Sequence, residues 1–195
     1  NTKVASVPEG EIILADGTEL ESNYTIIAAE ASPLVSKLKN QEVEWKSCDT
    51  LYFETDKRVI DKPLVGLVAD KDSLVNNIIY HTSVGTKTAG TKELLSVTVV
   101  KKHELSAEAL QHQVIKELKQ YCGIETAKFI KQYTIKKALP KLENLLYEMN
   151  PSETKLTANI FLAGDTQLNS SLNAAMISGE RAALGVVEEI FLKHS

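Results

Sequence analysis

Cysteine is scarce in this chain: Cys48 and Cys122 stand far apart, with no CxxC and no ladder of spacings. That excludes a disulfide framework and reads as two free thiols in a reducing compartment. Positive charge is not in excess, since 22 Lys and Arg face 26 Asp and Glu for a net charge of -4. The basic footprint of a nucleic-acid partner is therefore missing. No apolar run approaches the roughly 18 residues of a membrane span, and the first residues do not read as a secretory leader. His81, His103, His112 and His194 have no metal-ligand spacing, so no metal site is expected. There are no repeats and no low-complexity segment. No Ser/His/Asp arrangement can be recovered, which leaves catalytic residues unknown at this level.

What is present is an ordinary globular composition, 43% hydrophobic and 25% charged over 195 residues. The length suits one sizeable core or two small domains. Lys3 to Val7 and Glu11 to Leu14 read as strands, and Ala15-Asp16-Gly17-Thr18 as a hairpin turn before a strand at Leu20. Tyr24 to Ala29 is a continuous apolar, β-branched run, the pattern of a strand covered on both faces. Ser32-Pro33 predicts a helix start, with the helix running through Leu38. Asn40 to Lys46 is a polar linker. Thr50 to Thr55, Leu64 to Ala69, Asn77 to His81 and Leu94 to Val100 read as four short strands in succession, which favours an antiparallel sheet.

Ser106 predicts the cap of an amphipathic helix, striped by Leu110, Val114, Leu118 and Tyr121 and stopped at Gly123. Phe129 to Ile135 alternates like a strand and runs into Ala138-Leu139-Pro140, and Leu142 to Met149 reads as a helix. The fold class is α+β. A middle block, 40–150, with an antiparallel or mixed sheet, is inserted between two α/β pieces, 1–39 and 151–195, that form one discontinuous domain. The chain opens Asn-Thr-Lys, without Met and almost at once in a strand, which reads as an excised piece or a processed product.

The most informative stretch is 159–195. Ile160 to Ala163 reads as a buried strand, Gly164-Asp165-Thr166 as a sharp turn, and the residues from Leu172 as a long helix rich in small side chains. Leu172, Ala175, Met176, Gly179, Ala182, Ala183, Val186, Val187 and Ile190 fall on one apolar face. Ala175, Gly179, Ala182 and Ala183 would let its backbone lie close to whatever covers it. The helix start presents unpaired N–H groups and partial positive charge, suited to an electron-rich ligand atom. Asp165 could accept hydrogen bonds from a sugar-like hydroxyl. The plainer reading is a tight β-turn-α in which Asp165 only closes the turn.

Ile160-Phe161-Leu162-Ala163-Gly164-Asp165-Thr166, Ser171-Leu172-Asn173-Ala174-Ala175-Met176 and Ser178-Gly179-Glu180-Arg181-Ala182-Ala183 together resemble a known signature. It is the C-terminal flavin-binding motif of the FAD-dependent amine oxidase, protoporphyrinogen oxidase and phytoene desaturase superfamily. Leu14-Ala15-Asp16-Gly17, Ile26-Ile27-Ala28-Ala29 and Ala138-Leu139-Pro140 are similar to earlier steps of the same family. The resemblance implies FAD as cofactor. Asp165 would hold ribityl hydroxyls, Gly164 would allow close backbone approach, and Leu172, Asn173 and Ala174 would meet the flavin ring edge, with Thr166 and Ser171 as further cofactor-binding residues. Two departures stand out: Gln167-Leu168-Asn169-Ser170 lacks the Gly usual before the Ser, and Ala174 stands where Gly is common.

The family's opening GxGxxG unit is also absent. The implied reading is the C-terminal portion of a longer flavoprotein. It would comprise part of the FAD-binding domain plus a substrate domain whose sheet, roughly 48–135, roofs the substrate cavity. It would act on a small apolar or amine substrate by hydride transfer to flavin, and the piece alone would be inactive and hold FAD weakly or not at all. Tyr80-His81 could face a substrate pocket but reads first as an ordinary sheet position, whereas Trp45 and Tyr133 read as core and Lys101-Lys102 and Lys136-Lys137 as solvated. A cytoplasmic location is expected, with peripheral membrane association and oligomeric state left open. The rival from another class is a non-enzymatic α+β module that binds a ligand or protein.

Overall fold

A computed structural model describes residues 2–38, 43–85 and 90–193. Part of the polar linker, most of the Gly85-to-Gly90 loop and His194 lie outside the described residues. The chain divides into two compact units, 1–45 with 139–195, and 46–138. Residues 139–150, grouped with the middle block on sequence, belong to the first unit.

In the first unit, β1 (Val4–Ser6), β2 (Glu11–Leu14) and β3 (Glu19–Glu21) form an antiparallel sheet in chain order. The turn between β2 and β3 is closed by the Asp16 carboxylate, which accepts the Thr18 N–H at 3.0 Å, and by Gly17 at φ 87°. A second, parallel pair joins β4 (Thr25–Ile27) to β10 (Ile160–Leu162), with Phe161 opposite Ile26. Alternation along β10 divides its side chains between two small cores. Ile160 packs with Val7, Ile27 and Val35, while Phe161 packs with Ala163 and Ala182. Coverage of β4 on both faces does not hold, because Ile26 is 41% exposed. The helix expected from Ser32 to Leu38 is a turn followed by a single 3-10 turn, Ser36–Leu38.

The helix expected over Leu142 to Met149 does not form either. Its apolar residues Leu145, Leu146 and Tyr147 lie exposed, and the Leu146 N–H is spent on the Leu168 carbonyl at 3.0 Å. A tertiary hydrogen bond thus replaces the helical one that the spacing favoured, which is the usual way context overrides a weak propensity. Pro151–Thr154 forms a 3-10 turn instead.

Helix α2 (Leu172–Lys193) ends this unit. Its buried stripe is Ala174, Ser178, Ala182 and Gly185 rather than the larger residues. Leu172 and Met176 are 77% and 67% exposed. The reason is steric. A Cβ at Gly185 would lie 2.9 Å from the Pro151 carbonyl oxygen and 3.0 Å from the Phe161 ring, whereas a Cβ at Gly179 would meet nothing. Of the small residues expected to lie close, Ala182 is fully buried, Ala183 is exposed, and the tightest approach is made at Gly185.

The second unit carries all but the end residues Trp45, Leu139 and Pro140 of a five-stranded sheet in the order β6 (Gly66–Leu67), β7 (Val75–Tyr80), β8 (Glu93–Val99), β5 (Trp45–Thr55), β9 (Lys128–Pro140). β6, β7, β8 and β5 pair antiparallel in succession. One sheet face, with Leu51, Phe53, Ile78, Leu95 and Val97, packs on α1 (Ala107–Cys122) through Leu110, Val114 and Leu118. Here the sequence signals act as expected. The Ser106 hydroxyl accepts the Ala109 N–H at 3.2 Å, and Gly123 ends the helix at φ 68°.

Candidate functional site

The turn after β10 depends first on Gly164. Its backbone lies at φ 130°, ψ 170°, a region open in practice to glycine alone. The chain then turns through one 3-10 turn, Asp165–Gln167, and the Asp165 carbonyl accepts the N–H groups of Leu168 and Ser170. The Asp165 carboxylate itself makes no hydrogen bond or ion pair among the described residues. A carboxylate that merely closed the turn would accept a backbone N–H, as Asp16 does in its hairpin. Asp165 instead closes the turn with its main chain and leaves both carboxylate oxygens available.

The loop from Gln167 to the start of α2 takes an unusual path at Ser170, whose φ of 61° makes it the non-glycine residue at positive φ among those described. This is where the resemblance would place glycine. Serine tolerates the left-handed region at some cost, and its hydroxyl donates to the Pro140 carbonyl at 3.0 Å. Ser171 then caps α2, accepting the Ala174 N–H on its hydroxyl at 3.1 Å while donating to Asn169 at 2.6 Å. Of the residues expected to offer backbone donors, Ala174 has its N–H already taken and its side chain buried. Leu172 and Asn173, both exposed, start the helix with N–H groups that find no partner among the described residues. Two unpaired donors at the positive end of a 22-residue helix favour an electron-rich atom there.

Ser178, part of the motif but not among the expected site residues, joins the two pieces. Its hydroxyl accepts the Gly164 N–H at 2.9 Å and lies 2.9 Å from the Gly164 carbonyl. The signal in the sequence was a lone hydroxyl in an otherwise alanine stripe at positions 174, 178 and 182.

Beside the turn lies a cavity of about 140 Å³, lined by Ile27, Ala29 and Ser32 from the β4 side and Leu162, Thr166 and Gln167 from the β10 side. It sits at the carboxyl ends of two parallel strands, where open α/β sheets take their ligands. Pockets that bury a drug-sized ligand measure roughly 300–1,000 Å³, so this one is smaller than that. Of the residues singled out by the resemblance, Thr166 lines this cavity, while Asp165 and the start of α2 lie outside its lining.

In the second unit, Tyr80 is core, 1% exposed, and only its neighbour His81 is on the surface, 5.8 Å from the Tyr52 ring. Tyr133 is exposed rather than core and meets Tyr52 edge-on at 6.0 Å. Lys101 is not simply solvated, since its ammonium donates to the Lys71 and Ser73 carbonyls. Asp49 gathers His103 at 3.2 Å, Gln132 at 2.9 Å and Thr134 at 2.5 Å. Among the described residues no group of three or more His, Cys, Asp or Glu could hold a metal ion, and no helix is long and apolar enough to cross a membrane.

One unit holds a parallel β-turn-α segment and the other an antiparallel sheet backed by a helix. No protein-family model matches the sequence, and no curated protein matches it. Solved structures do match. An oxidoreductase from Methanosarcina mazei aligns over 94% of this chain and 49% of its own, at TM-score 0.64 and 10% identity. A putrescine oxidase variant with redesigned cofactor binding aligns over 96% and 48%, at 0.64 and 14%. A protein assigned as a protoporphyrinogen oxidase, from Exiguobacterium sp., aligns over 96% and 46%, at 0.60 and 15%. The likeness at these identities is one of fold, and the chain spans about half the length of each.

Proposed function

We propose that this chain supplies the C-terminal part of the flavin site, and the substrate domain, of an FAD-dependent oxidoreductase of the amine oxidase type. The observation that carries the reading is the unpaired Asp165 carboxylate, held by Gly164 next to a helix start whose Leu172 and Asn173 N–H groups are also unpaired. Asp165 would accept hydrogen bonds from ribityl hydroxyls, and Gly164 and Thr166 would let the cofactor approach the backbone. The start of α2, from Ser171 to Ala174, would face the ring edge with its positive pole, stabilising negative charge there without reorganisation. Bound flavin supplies the capacity to take a hydride from a C–H bond of an amine or apolar substrate. A small-molecule substrate would belong to the second unit, where Tyr52, His81 and Tyr133 form an aromatic group.

The residues named reach only part of the nucleotide, so the chain by itself should hold FAD weakly, on the order of millimolar, and turn over no substrate. The test is a titration of FAD fluorescence with the wild-type chain and Asp165→Ala. Losing hydrogen bonds to a charged acceptor should weaken binding by about 1.5–3 kcal/mol, one to two orders of magnitude. Equal affinity of the two proteins would contradict the role of Asp165. No binding by either at millimolar concentration would favour a module that binds some other ligand or a protein.

A further inference from the structure

Resting on that reading, we infer that Ser178 is a positioning residue for the flavin site, acting through Gly164 on Asp165. Ser178 is fully buried, and its neighbours on the same stripe of α2, Ala174 and Ala182, are buried to the same degree. Alanine is the better helix former at such a position, and an interior serine competes with the helix for hydrogen bonds. A hydroxyl there needs a use, and its contacts show one. It accepts the Gly164 N–H at 2.9 Å, and its own proton can go to the Gly164 carbonyl at 2.9 Å or the Ala175 carbonyl at 3.0 Å.

Gly164 is also the most freely rotating kind of residue at the point where the chain leaves β10. Both polar groups of its residue meet one side chain of α2, about one and a half turns beyond the Leu172 and Asn173 donors. The bond therefore ties the backbone that leads into Asp165 to the helix that carries those donors. The hydroxyl, rather than the volume, of residue 178 should then govern how well the turn and the helix start act on one ligand.

The experiment uses the 195-residue chain with FMN as probe, because FMN carries the ribityl chain and the ring edge. Wild type, Ser178→Ala, Ser178→Cys, Asp165→Ala and the Ser178→Cys, Asp165→Ala double variant are compared by amide NMR at millimolar FMN, together with hydrogen exchange at Gly164 without ligand. Both Ser178 variants should exchange the Gly164 amide faster and bind FMN about tenfold more weakly or worse. The Ser178→Cys, Asp165→Ala double variant should bind no more weakly than Asp165→Ala alone, as expected for residues acting as one unit. Cysteine keeps the shape of serine but is a poor hydrogen-bond partner, so a packing role predicts that Ser178→Cys binds as wild type does, and that result overturns the inference. Should Ser178→Ala fail to fold, the cysteine variant decides. Loss of binding in Asp165→Ala with none in either Ser178 variant removes the role of Ser178 and leaves the flavin site standing. No response to FMN in the wild-type amides of 164–174 removes both.

Discussion

The two units use opposite ways of filling space. The second closes one sheet face against α1 with large side chains, among them Phe53, Leu51, Leu95, Leu110 and Leu118, none of them accessible. The first is held by small cores on either side of β10, and its long helix is seated by alanine, serine and glycine. Large side chains in a core give stability, whereas small ones let backbone approach backbone and hold a turn in place. The unit with the thinner cores is the one that carries the candidate site.

Substitutions should therefore harm the two units in opposite senses. The largest effect is expected from a cavity in the second unit: Phe53→Ala should cost about 3–5 kcal/mol, measured by urea unfolding. In the first unit addition should do the damage. Gly185→Ala would place a methyl group against the Pro151 carbonyl and the Phe161 ring, costing about 1–3 kcal/mol, while the same change at open Gly179 should not destabilise the fold. A destabilisation at Gly179 as large as at Gly185 would show that the buried face of α2 is misassigned.

Glu117 gives the second unit a pH dependence. Burial by itself would raise its pKa, but hydrogen bonds from Gln113, Val75, Ser73 and Leu74 outweigh burial and hold it below the ordinary value. The bonds to Ser73, Leu74 and Val75 measure 2.7, 2.8 and 2.9 Å. A carboxylate with a depressed folded pKa stabilises the fold above its unfolded value, 4.5, and that contribution is lost as pH falls through the folded value. Glu117→Gln should cost about 1–3 kcal/mol at neutral pH and flatten the decline of Tm below pH 4.5. An unchanged acid limb would remove Glu117 as its source. The smallest change is expected at Ser170. Glycine would relieve the positive φ but forfeit the bond to Pro140, so Ser170→Gly should shift stability by less than about 1 kcal/mol.

The sequence was legible where several local signals agreed. Ser106, the leucine stripe and Gly123 specify α1 independently, and each does its expected work. The stretch 142–149 had helical spacing but no such support, and Leu146 went to the Leu168 carbonyl instead. For α2 the helix was legible but its buried face was not. Hydrophobicity pointed to Leu172 and Met176, which are exposed; Ala182, on the same expected face, is buried, and the space beside Phe161 and Pro151 is taken by Gly185. Asp165 could be picked out from the sequence because a turn carboxylate is a local feature. The use of Ser178 was hidden because its partner, Gly164, is brought to it by the fold.

The most direct test of the account maps FMN onto the chain through its backbone amides. The account predicts shifts at Gly164, Asp165 and Thr166 and at Leu172 and Asn173, all in the first unit, and their disappearance in Asp165→Ala. Shifts confined to the second unit, or a response at 164–173 that Asp165→Ala leaves intact, would contradict it.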